Sequence, residues 1–143
     1  MSLFSAISVS ASGMAAQRTR AELLVENLAN AETTRTPEGG PYRRKDVVFT
    51  SAPAASPFGT AFEAALAPEG VEVAGIVVDP REPERRYQPG HPDADKDGYV
   101  GFPRIHPAED MVDLMGAARG YQANVAAITA VKDMIQRSLD LLR

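Results

Sequence analysis

The longest unbroken pattern of apolar positions lies at the C-terminal end of the chain, over residues 109–142. Apolar residues recur there at alternating steps of four and three, the spacing that places one stripe of a helix against a partner helix. Only Lys132 interrupts this seam, and Met111, Met115, Val131 and Met134 widen it. The seam consists of Leu114, Ala118, Tyr121, Val125, Ile128, Ile135, Leu139 and Leu142.

The ends of this segment also favour a helix. Pro107 precedes it, and Glu109, Asp110 and Asp113 place negative charge in the first turns, where the helix dipole favours it. A helix of this length is about 50 Å long, which exceeds the width of a compact domain of this size. We therefore expect part of the seam to pack on a partner outside the subunit.

A second helix is predicted over residues 2–30. Its apolar positions follow a seven-residue frame, but Ser10, Gly13 and Gln17 dilute them. A glycine inside a helix costs about 1 kcal/mol relative to alanine, so this helix is expected to be marginal in isolation. Small residues also let another helix approach closely, which favours completion by assembly. The candidate interface positions are Ile7, Met14, Leu24 and Leu28.

Between these helices, residues 35–107 lose the helical period and hold all eleven prolines. Runs of β-branched and aromatic residues predict strands at 42–50 and 70–79, with a third short strand opening at 85–87. Residues 51–68, with Phe58 and Phe62, are consistent with either a short helical turn or a mobile loop.

The predicted fold class is therefore mainly α with a small β-rich insertion. The long N- and C-terminal helices pack as a coiled-coil-like pair, and a β lobe lies in the middle. The expected divisions are residues 1–34 for the N-terminal helix and its polar stop, 35–107 for the lobe, and 108–143 for the C-terminal helix.

Composition excludes several kinds of site. The 143 residues carry a net charge of −4, which argues weakly against nucleic acid as a partner. The chain has no cysteine, so disulfides and thiolate metal sites are excluded. No run approaches the roughly 20 apolar residues of a membrane span, and the N-terminus does not resemble a secretion signal. We expect a soluble chain that is either cytosolic or exported without a cleaved signal.

One acidic segment resembles half of a calcium-binding loop. Asp93, Asp95, Asp97 and Gly98 match the first part of an EF-hand, but Arg104 occupies the position of the bidentate glutamate. The alternative is a turn in which aspartate side chains accept hydrogen bonds from their own backbone. The turn is the interpretation that we prefer, so no metal ligand is assigned.

Catalytic chemistry has no support in the sequence. His91 and His106 each precede a proline, which places them in extended backbone and not on a shared helical face. No nucleophile elbow, phosphate-binding glycine loop or helical zinc motif is present. We expect neither an enzyme nor a cofactor.

Several blocks together resemble one family, the rod proteins of the bacterial flagellar basal body, and among them a proximal-rod member. The blocks are residues 7–18, 27–31, 33–36, 39–49, 91–95, 98–100 and 120–125. The first and last resemble axial flagellar proteins in general, whereas 39–49 and 91–95 are more specific. The motif positions are Asn27, Asn30, Thr33, Gly120, Gln122 and Asn124.

The resemblance implies a structural subunit that polymerises through its terminal helices into the shaft that transmits torque for motility. It further implies export through the flagellar type III apparatus without a cleaved signal, and a place in the rod that spans the periplasm. Other axial proteins and the ring or adaptor at the rod base are the implied partners. A soluble coiled-coil adaptor and a weak calcium-binding module remain as alternatives from the residues alone.

Overall fold

The computed structural model describes residues 3–53 and 69–141. Two long helices enclose a small β region in the order α1, β1, β2, β3, β4, α2, which confirms the predicted fold class. The segment containing Phe58 and Phe62 lies outside the described residues. The elements are α1 Leu3–Ala29, β1 Lys45–Pro53, β2 Glu69–Val78, β3 Glu84–Tyr87, β4 Tyr99–Phe102 and α2 Pro107–Asp140.

The two helices pack side by side in opposite directions. Gly13 of α1 faces Asn124 of α2, and four residues further along α1, Gln17 faces Gly120. Near the other end an ion pair joins Arg20 to Asp113, with 3.4 Å between nitrogen and oxygen. Within the described residues, neither helix combines the length and hydropathy that crossing a membrane requires.

The β region consists of two separate antiparallel hairpins. β1 pairs with β2, and a bulge between Val48 and Phe49 shifts the register. This hairpin lies along α1, where the hydroxyl of Ser12 accepts a hydrogen bond from the Val71 N–H at 3.0 Å. A side chain in place of Gly70 would meet the same hydroxyl, so the glycine permits this close approach.

β3 pairs with β4 in the second hairpin. Strand β4 was not predicted, because it is only four residues long and contains Gly101. The pairing with β3 explains why β4 forms. Tyr87 and Tyr99 stand opposite each other with ring centroids 5.4 Å apart. Cross-strand aromatic pairs of this kind stabilise short hairpins that local propensity alone does not predict.

The buried apolar side chains form a thin core where the lobe meets the helices. Val100, Phe102 and Ile105 lie at the lobe end, and Leu23 and Leu24 contribute from α1. Ala117 and Val131 are the buried apolar residues of α2 among those described. Most of the apolar surface of α2 is therefore not used inside the subunit.

Candidate assembly surface

The predicted C-terminal seam is divided between two environments. Leu114, Ile128 and Ile135 are half-buried against the rest of the subunit, whereas Ala118, Tyr121, Val125 and Leu139 are exposed. The fully buried positions of α2 are Asp110, Ala117 and Val131, which lie to one side of the predicted line. The last predicted seam residue, Leu142, falls outside the described residues.

A continuous apolar band therefore remains on one flank of α2. We call it the α2 stripe, and it consists of Met111, Met115, Ala118, Tyr121 and Val125. Met111 and Met115 are each 56% exposed, and Tyr121 and Val125 are 39% and 40% exposed. A contiguous exposed apolar band marks an interaction surface more often than isolated exposed residues do.

The interface positions predicted on α1 behave differently. Ile7, Met14 and Leu28 are half-buried, and Leu24 is only 4% exposed because it packs inside the subunit. The described structure thus places Leu24 in the core of the monomer. Ile7 and Met14 keep part of their surface available to a partner.

Asn27 is the polar centre of the junction between α1 and the lobe. Its side chain is completely buried. Its amide donates to the Lys45 carbonyl at 2.9 Å, and its Oδ1 accepts from the Lys45 N–H and the Tyr42 hydroxyl, each at 3.0 Å. One side chain thereby satisfies the backbone at the start of β1 and fixes its position on α1.

Tyr42 and two charged neighbours complete this junction. Burial, followed by the nearby Glu26 carboxylate, raises the pKa of Tyr42 to about 12, so the hydroxyl keeps its proton and donates to Asn27. Glu26 also accepts a hydrogen bond from the Lys45 ammonium at 2.5 Å. This anchoring explains why β1 begins at Lys45 and not at Tyr42 as predicted.

Two further motif residues form the stop of α1. The Asn30 amide donates to the Glu26 carbonyl at 2.9 Å, and the Thr33 hydroxyl donates to Asn30 Oδ1 at 3.1 Å. The next residue, Thr34, donates to Asp93 Oδ2 at 2.8 Å. The polar stop of α1 therefore holds the loop between β3 and β4.

The acidic segment is a turn. Asp95 Oδ1 accepts hydrogen bonds from the N–H groups of Asp97 and Tyr99, at 2.9 and 2.8 Å. Gly98 has a φ of +80°, a conformation that favours glycine. Within residues 3–53 and 69–141, no group of three or more acidic or histidine side chains is arranged to hold a metal ion. The hydrogen bonds of Asp95 are those of the predicted turn, in which an aspartate side chain accepts from its own backbone.

The motif glycine of α2 lies at a close contact between the two helices. A Cβ on Gly120 would stand 3.2 Å from Gln17 Cδ, and one on Gly13 would stand 2.9 Å from Asn124 Nδ2. Asn124 in turn donates to the Gly120 carbonyl at 2.9 Å. In each of the two contacts, a glycine of one helix lies against an amide side chain of the other helix. The third motif residue, Gln122, is exposed and plays no described part in this contact.

This packing predicts a coupled effect of two substitutions. Gly13→Ala should destabilise the subunit by about 1–2 kcal/mol, because the new methyl group displaces the Asn124 amide despite the gain in helix propensity. In an Asn124→Ala background the same change should stabilise by about 1 kcal/mol, since only the propensity gain remains. Urea unfolding of the four proteins measures both values. Equal effects of Gly13→Ala in the two backgrounds would contradict this packing.

A second buried polar contact was not predicted. Asp110, in the first turn of α2, is 0% exposed, and its Oδ1 lies 2.8 Å from Arg44 Nη1. Burial raises the pKa of Asp110, and the nearby Arg44 charge opposes this shift. Burial by itself lowers the pKa of Arg44, but the carboxylates of Asp46 and Asp110 outweigh it, so the net shift is upward. The negative charge in the first turn was noted from the sequence, but only as a complement to the helix dipole.

Comparison with known proteins gives the class. Residues 96–141 match the family model described as the flagellar basal body rod FlgEFG protein C-terminal region. This match covers the last strand and all of α2, the helix that carries the stripe. Together with the paired terminal helices, it indicates a rod protein of the bacterial flagellar basal body.

Similarity over the whole chain gives the particular family. The flagellar basal-body rod protein FlgC of Borreliella burgdorferi is 39% identical, with 100% of this chain and 99% of the relative covered. The FlgC proteins of Bacillus subtilis and Salmonella typhimurium are each 38% identical, with 99% of this chain and 99% or 98% of the relative covered. This chain belongs to the FlgC family of flagellar basal-body rod proteins.

Proposed function

We propose that this protein is a structural subunit of the proximal rod of the flagellar basal body. Its subunits polymerise through their terminal helices into a shaft that transmits torque for motility. Full-length similarity to rod proteins supports the place of the chain in the basal body. The observation that carries the assembly mode is the α2 stripe, which the subunit leaves uncovered.

The α2 stripe fits a polymer contact in both its spacing and its composition. Its members recur at steps of four, three, three and four, so they form one band along a helix flank. Methionine and tyrosine side chains supply large apolar contact areas that adapt to a partner surface. The partner is a neighbouring subunit, either a second copy or another axial protein of the rod. In this proposal Ile7, Met14, Leu28 and the distal Leu139 border the same interface.

Other partners follow from the same proposal. A proximal position brings the subunit into contact with the ring or adaptor at the base of the rod. Export through the flagellar type III apparatus without a cleaved signal would deliver the chain to its site. A calcium-binding role has no support in the described contacts, in which Asp95 accepts hydrogen bonds from the backbone of its own turn. The full-length similarity to rod proteins favours the rod over a separate adaptor role.

Electron cryomicroscopy of isolated basal bodies tests this proposal directly. We expect density for this chain in the proximal rod, with Met115 and Tyr121 buried against a neighbouring subunit. Absence of the chain from the rod would contradict the proposed function. A rod containing the chain with the α2 stripe facing solvent would contradict the assembly mode alone.

A further inference from the structure

The start of α2 has the proline and the acidic first turn that favour a helix, but no side chain caps it. His106 occupies the N-cap position in an extended conformation, and its side chain makes no capping hydrogen bond. The first turn of a helix has backbone N–H groups with no partner inside the helix, and a cap normally satisfies one of them. Pro107 removes one such group, because proline has no backbone N–H. A contact from outside the helix therefore helps to hold the first turn of α2 in place.

The contact that does so comes from the lobe. Arg44 precedes β1, and its guanidinium reaches Asp110 Oδ1 through Nη1 at 2.8 Å and Asp46 Oδ1 through Nε at 3.2 Å. One planar cation therefore joins a carboxylate of β1 to a carboxylate of α2, an arrangement suited to arginine. The Arg44 side chain is itself only 17% exposed.

Asp110 depends on this contact with Arg44 because its carboxylate is buried. Neither carboxylate oxygen accepts a hydrogen bond of good geometry from the described residues, so Arg44 provides the main compensation for a fully buried charge. Removing one partner of such a pair leaves the other charge buried and uncompensated. The second ion pair at this end, Arg20 with Asp113, is partly exposed and correspondingly weaker.

We infer that Arg44 and Asp110 form a latch that orders the beginning of α2, and with it the part of the α2 stripe carrying Met111 and Met115. The latch substitutes a contact from the lobe for a local helix cap. When it opens, the first turns of α2 fray while Pro103 and Ile105, which are buried, keep the preceding segment in place. Its importance for assembly rests on the proposed function; the ordering itself is a property of the single subunit.

Hydrogen exchange on the full-length chain, at a concentration where it is monomeric, tests the latch. In Asp110→Asn and in Arg44→Met we expect the amides of residues 111–116 to exchange at least about tenfold faster, with amides around Ala117 to Val131 unchanged. Arg44→Lys is a milder variant that keeps the charge. One ammonium cannot contact Asp46 and Asp110 together as the guanidinium does, so a smaller increase is expected in the same segment.

The exposed ion pair supplies the matched control. Arg20→Gln removes the partner of Asp113 in the same part of α2, and we expect less than about a twofold change in exchange there. Unchanged exchange over residues 111–116 in Asp110→Asn and Arg44→Met would overturn the latch. A uniform increase along both helices would also overturn it, because the pair would then serve only global stability. Either result would leave the assembly role of Met115 to be judged by its own measurement.

Discussion

Met115→Asp should abolish swimming in cells that depend on this chain, while the isolated subunit stays folded. Met115 is an exposed residue of the α2 stripe, so the monomer tolerates the carboxylate. In a polymer the same carboxylate is buried against an apolar neighbour in every repeat, and the effective penalty for burying an unpaired ion is several kcal/mol. Swimming on soft agar and thermal unfolding of the purified chain measure the two effects.

The control is Gln88→Asp, which adds the same charge in the lobe. Gln88 is exposed, and its described hydrogen bond uses the backbone N–H, which donates to the Gly98 carbonyl at 2.9 Å. Cells with this variant should swim normally. Normal swimming with Met115→Asp would show that the α2 stripe is not an assembly surface. A variant at Ile128 is less informative, because Ile128 is half-buried inside the subunit and an aspartate there also disturbs the monomer.

Asn27→Leu should lower the free energy of unfolding by about 3–5 kcal/mol. The change leaves the Lys45 N–H, the Lys45 carbonyl and the Tyr42 hydroxyl without their partner. Each buried polar group left unpaired costs about 1–3 kcal/mol, so the loss should be severe although leucine is apolar. Urea unfolding of the full-length monomer gives the value.

A second asparagine in the same motif is the comparison. Asn30→Leu removes a hydrogen bond to the carbonyl of Glu26 within the same helix turn and one accepted from Thr33. Asn30 is partly exposed, so water replaces these contacts, and the cost should be about 1 kcal/mol. Equal losses for the two variants would mean that Asn27 does not organise the junction.

The sequence predicts the helices and the first two strands because their apolar patterns are long, although it places β1 three residues too early. The predicted 109–142 helix and the observed Pro107–Asp140 differ by two residues at each end, and β2 differs from its prediction by one. Strand β4 has no such pattern. It forms because it pairs with β3. The four residues of β4 do not predict that tertiary contact by themselves.

The sequence also does not predict which face of α2 is buried inside the subunit. An apolar period identifies a stripe but not the partner that covers it. The subunit buries Asp110 and half-buries Asn124 and Gly120 on its inner face, although a hydrophobic pattern predicts that these polar and small residues face solvent. The buried roles of Asn27 and Asp110 depend on Tyr42, Lys45 and Arg44, which are distant in sequence. A sequence alone does not show which polar residues meet such partners, so it cannot separate a buried polar residue from a surface one.

The antiparallel pairing of α1 with α2 also constrains how the chain folds. Gly13 meets Asn124 and Arg20 meets Asp113, so the main helix contact joins the two extremes of the sequence. Contacts between such distant residues require closure of a long loop and slow the folding of small domains. During synthesis from the N-terminus, α1 has no partner helix until α2 has been made. The subunit can complete its helix pair only after that point.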